Sequence, residues 1–247
     1  MKYKKRFVFL ACVIGIILYV FVLSNIGLKW LYGDKIWVHR VNSIEKYAEV
    51  HQDFKGFEID VVFDSETGFD VNHPPAESIG LELSDLMVSE STSSKHFWLD
   101  IKNLTVSNAN AALEELIRIC DKLNVSPKNV IVESSQLKSL QTFNKEGFQT
   151  SYYLPEGLYK LNLKDLEAQI RVIRKGLQDV DVSYISADYK DLKIIQDHFP
   201  LKSKLTWALS GASWSNTIKK RLLSYSILAD PNIDVLLISY DSKSGDR

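Results

Sequence analysis

The chain has 247 residues, 30 of them basic and 31 acidic, for a formal net charge of −1. That balance provides no general polyanion-attracting field, so nucleic acid is not an expected partner. The length suits one large domain, because α/β barrels run past the usual figure of roughly 150 residues per domain.

The N-terminus carries the strongest asymmetry. A basic block, Met1 to Arg6, leads into an uncharged apolar run from Phe7 to Leu23 that can be extended through Ile26. This pattern predicts a transmembrane helix within residues 1–27. The basic end would stay cytoplasmic and the domain of residues 28–247 would be extracytoplasmic, whether periplasmic or extracellular. A cleaved secretion signal is the alternative, although Ser24 to Lys29 makes a poor small-x-small cleavage pattern. Cys12 falls in the apolar run and Cys120 in a predicted helix, so no intrachain disulfide is expected.

Beyond residue 28, β-like runs alternate with amphipathic helical stretches, with no low-complexity linker between them. Strands are predicted over Ile36 to Val41, Gly56 to Phe63, Phe97 to Ile101, Asn129 to Glu133, Thr150 to Leu154, Val182 to Ala187, Lys204 to Leu209 and Val235 to Tyr240. The intervening helices are Ser43 to Asp53, Leu83 to Glu90, Ser107 to Leu123, Leu137 to Glu146, Leu163 to Gln178, Tyr189 to His198 and Ser215 to Ser226. The Ser107 to Leu123 stretch spaces Leu113, Leu116, Ile117 and Cys120 along one face, as an outer-layer helix would. Eight such pairs favour an α/β fold of the (β/α)8 TIM-barrel type over an open doubly wound sheet. No Gly-rich loop follows the first strand, which argues against dinucleotide and P-loop readings.

Several predicted strands end in acids, bases or cations: Trp37-Val-His39-Arg40-Val-Asn42, Phe57-Glu58-Ile-Asp60, Val71-Asn72-His73-Pro74-Pro75 and Trp98-Leu-Asp100-Ile-Lys102. Residues two apart in a strand share a face, so Glu58 with Asp60, and Asp100 with Lys102, enter one space. Paired acids in a strand covered on both sides are costly without a partner, and a hard divalent cation is a suitable one. His39 and His73 suit proton transfer near neutral pH. For Asp100 and Lys102 an ordinary structural ion pair is an even alternative. Asn42, Glu133 and Trp207 are further pocket candidates, with Tyr152 and Asp188 near later strand ends in supporting positions.

This order of motifs resembles the glycerophosphodiester phosphodiesterase branch of the phospholipase-C-like barrel superfamily, and is closest in pattern to menorin-type proteins. The motif-rich resemblance covers Ile36 to Asn103. It implies that His39 and His73 act as general acid and base. It also implies that Glu58, Asp60 and Asp100 hold Ca2+ or Mg2+, while Arg40 and Lys102 meet the phosphate. The implied substrate is a glycerophosphodiester or phospholipid headgroup at or near a membrane. A non-catalytic barrel that binds a ligand or a protein is the alternative.

Overall fold

The computed structural model describes residues 2–23, 25–87, 94–208 and 214–242. Its strands are β1 (Ile36–Val38), β2 (Gly56–Asp64), β3 (Gly68–Val71), β4 (His96–Ile101), β5 (Val130–Ser134), β6 (Gln149–Tyr153), β7 (Tyr184–Asp188), β8 (Lys204–Trp207) and β9 (Ile233–Ile238). The helices are α1 (Lys2–Leu23), α2 (Asn25–Tyr32), α3 (Ile44–Val50), α4 (Leu83–Leu86), α5 (Ala109–Leu123), α6 (Leu137–Lys145), α7 (Leu163–Asp179), α8 (Leu192–His198) and α9 (Trp214–Leu228). Each of the eight predicted strands has a counterpart. Residues 88–90 of the helix predicted over Leu83 to Glu90, and Leu209, lie outside the described residues.

All strands except β3 pair in parallel, and β1 pairs with both β9 and β2, so the sheet closes. The expected eight-stranded barrel is therefore present. Phe57, Ile59 and Val61 of β2, and Phe97, Leu99 and Ile101 of β4, belong to the large apolar cluster that also takes in Leu113, Leu116 and Cys120 of α5. The alternate residues Trp37, Trp98, Ile131, Leu205, Val235 and Leu237 form a separate cluster filling the barrel. Gly56 makes room for that filling: a Cβ there would sit 2.1 Å from the Trp37 indole. Both cysteines are free, Cys12 exposed and Cys120 buried.

One strand is absent from the sequence reading. β2 runs past the barrel rim and turns back as β3, pairing Asp64 with Gly68 and Val61 with Val71. Gly68 takes a φ of 86°, in the left-handed region that glycine tolerates. This hairpin returns the chain to the rim, where the Asn72 N–H donates to the Asp60 carbonyl at 3.1 Å.

The expected transmembrane helix is not supported. Among the described residues no helix is long and apolar enough to cross a membrane. The expectation relied on continuing the apolar stretch through Ile26, whereas α1 ends at Leu23. Its uncharged part, residues 7–23, rises only about 25 Å against a hydrocarbon core of about 30 Å. α1 packs against α2 and touches α9, and the Phe21 and Trp30 rings meet edge to face at 6.0 Å.

Candidate active site

β1 ends at Val38, and the next residue turns the chain sharply. Arg40 has a φ of 52°, which costs a residue with a Cβ about 1–2 kcal/mol. Glu58 holds this turn through its Oε2, which accepts the Arg40 N–H at 2.6 Å, and its carbonyl accepts the Val41 N–H at 2.8 Å. The turn sets His39 on the inner face, its Nε2 3.7 Å from Glu58 Oε2. Burial, reinforced by the Arg40 charge, pushes the His39 imidazole down to about 3. That environment holds His39 in its neutral form, its Nε2 facing the Glu58 carboxyl.

The Arg40 guanidinium reaches two ways. Its Nε lies 3.6 Å from Asp60 Oδ2, and its NH2 group donates to His73 Nε2 at 2.8 Å. An arginine has no acceptor, so His73 receives this bond on an unprotonated Nε2. The β2–β3 hairpin thus brings His73 to Arg40 across a separation that no spacing in the sequence reveals.

Asp60, Asp100 and Glu133 stand in register on β2, β4 and β5, forming one ring of carboxyls inside the barrel. Glu58 lies one inward position below Asp60. Lys102 bridges Asp60, at 2.5 Å, and Asp100. The two aspartates nevertheless shift in opposite directions. Burial raises both, but at Asp60 the Lys102 charge and a 2.8 Å hydrogen bond from the Asn42 amide outweigh it and hold the carboxyl below its usual range. Asp100 lacks the amide, and burial leaves it raised. Burial and the charges of Asp60 and Asp100 push Glu58 well up. Lys102 is held well above the ordinary lysine value, since the two aspartates overcome its burial.

His39, Arg40, Glu58, Asp60, His73, Asp100, Lys102, Glu133 and Trp207, all expected at the site, line one cavity of about 150 Å3. Asn42 does not reach it. Its side chain is spent on Asp60, with Nδ2 donating to the carboxylate and Oδ1 accepting the Asp60 N–H at 3.0 Å. Tyr152 and Asp188 also lie off the cavity wall: Tyr152 packs against the outer apolar cluster, and Asp188 lines a neighbouring groove.

Four contributors went unread in the sequence. Trp98, Tyr153, Glu156 and Leu237 complete the cavity wall. Ser151 of β6 bonds Glu133 at 2.8 Å, so its alternate neighbour Tyr153, and not Tyr152, points inward. Glu133 also accepts the Ser186 hydroxyl, and burial together with Asp100 pushes it up to about 8.

The donor set suits a hard cation. Glu58, Asp60 and Asp100 each offer an oxygen, and these oxygens lie within 4.8 Å of one another. All-oxygen coordination is what Mg2+ and Ca2+ take. The mutual repulsion that raises Glu58 is the kind of strain a divalent cation relieves.

No protein-family model matches the chain, and no curated protein sequence matches it. Solved structures do. A glycerophosphodiester phosphodiesterase from Parabacteroides distasonis aligns with a TM-score of 0.56 at 12% identity, over 86% of this chain and 94% of that one. An Oleispira antarctica phosphodiesterase, in complex with the product sn-glycerol-3-phosphate, aligns with a TM-score of 0.56 at 10% identity, over 85% and 94%. N-(5'-phosphoribosyl)anthranilate isomerase from Pyrococcus furiosus also aligns, with a TM-score of 0.52 at 13% identity, over 86% and 92%. The shared property is the (β/α)8 barrel; an isomerase among the matches illustrates that this scaffold carries more than one chemistry.

Proposed function

We propose that the protein cleaves a phosphodiester bond in a glycerophosphodiester or phospholipid headgroup. The observation that carries this reading is the convergence of three carboxylates, two histidines and two cations on one small cavity. The phosphodiesterases among the structural matches are consistent with it. A cavity of about 150 Å3 is well below the roughly 300 Å3 at which drug-sized sites begin, so it takes a phosphate and a small headgroup and leaves any acyl chain outside.

In this mechanism Arg40 and Lys102 bind the phosphate oxygens and stabilise the charge that builds on them during attack. Neutral His39 accepts the proton of the attacking hydroxyl, which belongs either to the substrate or to water. As Arg40 turns from His73 to the phosphate, it frees the His73 Nε2, which takes a proton from solvent and passes it to the leaving oxygen, while the proton taken by His39 returns to solvent. Glu58, Asp60 and Asp100 would hold Ca2+ or Mg2+, which supplies Lewis-acid stabilisation of the phosphoryl oxygens when bound. Asn42 fixes the Asp60 carboxylate from behind.

The test is turnover of a panel of glycerophosphodiesters and phospholipids by purified protein with Ca2+, Mg2+ or chelator. Chelator-sensitive cleavage that vanishes in Glu58→Gln is the expected result. A folded protein that binds cation and turns over nothing in the panel would favour a binding barrel. A location outside the cytoplasm is part of the proposal, supported by the basic start and apolar run of the sequence; protease protection of the barrel in cells stripped of any outer membrane would count against it.

A further inference from the structure

The loop that brings Glu156 to the cavity is held from a distant part of the chain. It spans residues 154–162, between β6 and α7. Leu154 and Leu158, each 1% exposed, root it in the large apolar cluster. Between them the chain turns outward through Gly157, whose φ of 77° lies in the left-handed region. The N–H groups on either side of Leu158 leave the loop: Gly157 donates to Asp191 Oδ2 at 3.0 Å and Tyr159 to Asp191 Oδ1 at 2.7 Å. Asp191 is 1% exposed and is the N-cap residue of α8. An aspartate in that position ordinarily turns back on its own helix and accepts an N–H of the first turn, which stabilises the helix. Asp191 makes no such bond. Its carboxyl reaches over to the loop after β6 instead, one oxygen to each N–H, and pins that loop at two points.

We infer that Asp191 is a positioning residue of the active site: by fixing the loop after β6 it sets Glu156 as the partition between the catalytic cavity and the groove beside it, and so limits the size of the alcohol that can accompany the phosphate. Glu156 and Trp207 line both hollows, the cavity of about 150 Å3 and the groove of about 490 Å3. Of these two shared residues, Trp207 stands on β8 and is braced edge to face by Trp98 and Tyr153. Glu156 is exposed and stands on the loop, where the Tyr153 hydroxyl holds its carboxylate and the neighbouring Gly157 N–H ties its backbone to Asp191. Releasing that tie lets the partition move, and the cavity then opens into a space much larger than itself. A carboxylate is the group this hold requires. An amide in its place has one acceptor oxygen and turns an NH2 toward the second N–H.

The inference rests on the phosphodiesterase reading, and the experiment separates the two. With Mg2+ or Ca2+, kcat and KM are measured for two esters of uncharged alcohols, glycerophosphoglycerol and the bulkier glycerophosphoinositol, in wild type, Asp191→Asn and Asp191→Ala. In parallel, amide hydrogen exchange is followed by mass spectrometry on peptides covering residues 154–162 and 192–198. Wild type should prefer the smaller ester. Asp191→Ala should raise KM for that ester about five- to tenfold, change kcat by less than about threefold and reduce the preference about fivefold or more. Exchange in 154–162 should quicken about tenfold or more while that in 192–198 changes by less than about threefold. Asp191→Asn, with one acceptor oxygen left, should lie between. No size preference in wild type, a preference unchanged in Asp191→Ala, or a loss of kcat with KM intact overturns the positioning role and leaves phosphodiester cleavage standing. Equal quickening of exchange in both segments makes Asp191 a residue of α8 and overturns it as well. If Asp191→Ala does not fold, Asp191→Asn decides alone: shifts in the stated directions uphold the role and wild-type values overturn it. If wild type cleaves neither ester, the catalytic reading fails and calorimetry with sn-glycerol 3-phosphate decides. Affinity weakened about fivefold or more in the variant upholds the role, and unchanged affinity or no binding overturns it.

Discussion

The wall of the cavity built by β1, β2, β4 and the hairpin strand β3 holds the histidines, the fixed cations and the candidate metal ligands. The other side, built by β5, β6 and β8 with the loop after β6, holds Tyr153, Trp207 and two carboxyls, Glu133 and Glu156, that enter no ion pair among the described residues. Along the first wall each polar group is tied to another of opposite character: Glu58 to the Arg40 N–H, Asp60 to Lys102 and Asn42, Arg40 to His73. Along the second the ties are between rings and hydroxyls. An interlocked wall suits a reaction whose geometry is fixed, whereas a wall of rings suits the part of a substrate that varies. Substitutions on the first wall should therefore remove turnover, and those on the second should change which substrate is preferred.

The largest effect is expected at Asp60. It is buried, bonded by Asn42, paired with Lys102 and near Arg40. Asp60→Asn keeps the shape and removes the charge that organises both cations, so turnover should fall at least about a thousandfold, of the order lost on removing a strong preorganised electrostatic contact. Stopped assays with saturating cation measure it. A drop of less than about tenfold would dissolve the distinction between the walls. His73→Ala should follow, with kcat falling about a hundred- to ten-thousandfold while cation binding, followed by calorimetry, is retained. Full activity in that variant would remove His73 from the proton path.

Glu133 belongs to the second wall but touches the ring of carboxyls, and its signature is a pH-dependent stability. Its usual value of 4.5 is pushed to about 8 in the folded chain by burial and then by Asp100. Between those values the folded state holds a proton that the unfolded state has lost, so stability is fully present below about pH 4.5 and falls as pH rises toward 8. Glu133→Gln keeps an acceptor for the Ser151 and Ser186 hydroxyls and cannot ionise. In chelated protein, urea midpoints of variant and wild type should diverge from pH 5 to pH 8 in the variant's favour, by an amount of order a few kcal/mol. A difference that does not change with pH would mean that Glu133 is already ionised in the fold.

The same two walls differ in how far the sequence discloses them. β2 and β4 place their chemistry at positions two apart, as in Glu58-x-Asp60 and Asp100-x-Lys102, so strand alternation alone gathers those groups. His73 could be named from its motif, but its approach to Arg40 needed β3, whose Gly68-Phe-Asp-Val71 is too short a run to stand out. On the second wall the contributors arrive singly from separate strands. Glu133 meets Asp100 only through strand register, which no local pattern records. Tyr153 was missed in favour of Tyr152 because adjacent tyrosines in a strand face opposite ways, and only the bond from Ser151 to Glu133 shows which faces in. Asn42 was read as a pocket residue because it follows the first strand closely, whereas its amide matches the carboxylate and N–H of one residue, Asp60. The N-terminal run showed the opposite failure, since its hydropathy is evident and the end of α1 at Leu23 is not.

Tyr153 gives the finest distinction between the walls, because its ring and its hydroxyl can be removed separately. The ring lies edge to face with Trp207 at 5.4 Å, while the hydroxyl donates to Glu156, an exposed side chain. A hydrogen bond to an exposed carboxylate competes with water and stabilises little, under about 1 kcal/mol. Tyr153→Phe keeps the ring and should change the relative kcat/KM of two glycerophosphodiesters by no more than about threefold. Tyr153→Leu removes the edge-to-face partner of Trp207, worth about 0.5–1.5 kcal/mol, and should shift the same ratio several-fold. Competition assays with the two esters in one reaction resolve differences of this size. If Phe proved as damaging as Leu, the hydroxyl and its hold on Glu156 would govern selectivity, and the second wall would belong with the first as a set of positioned polar groups.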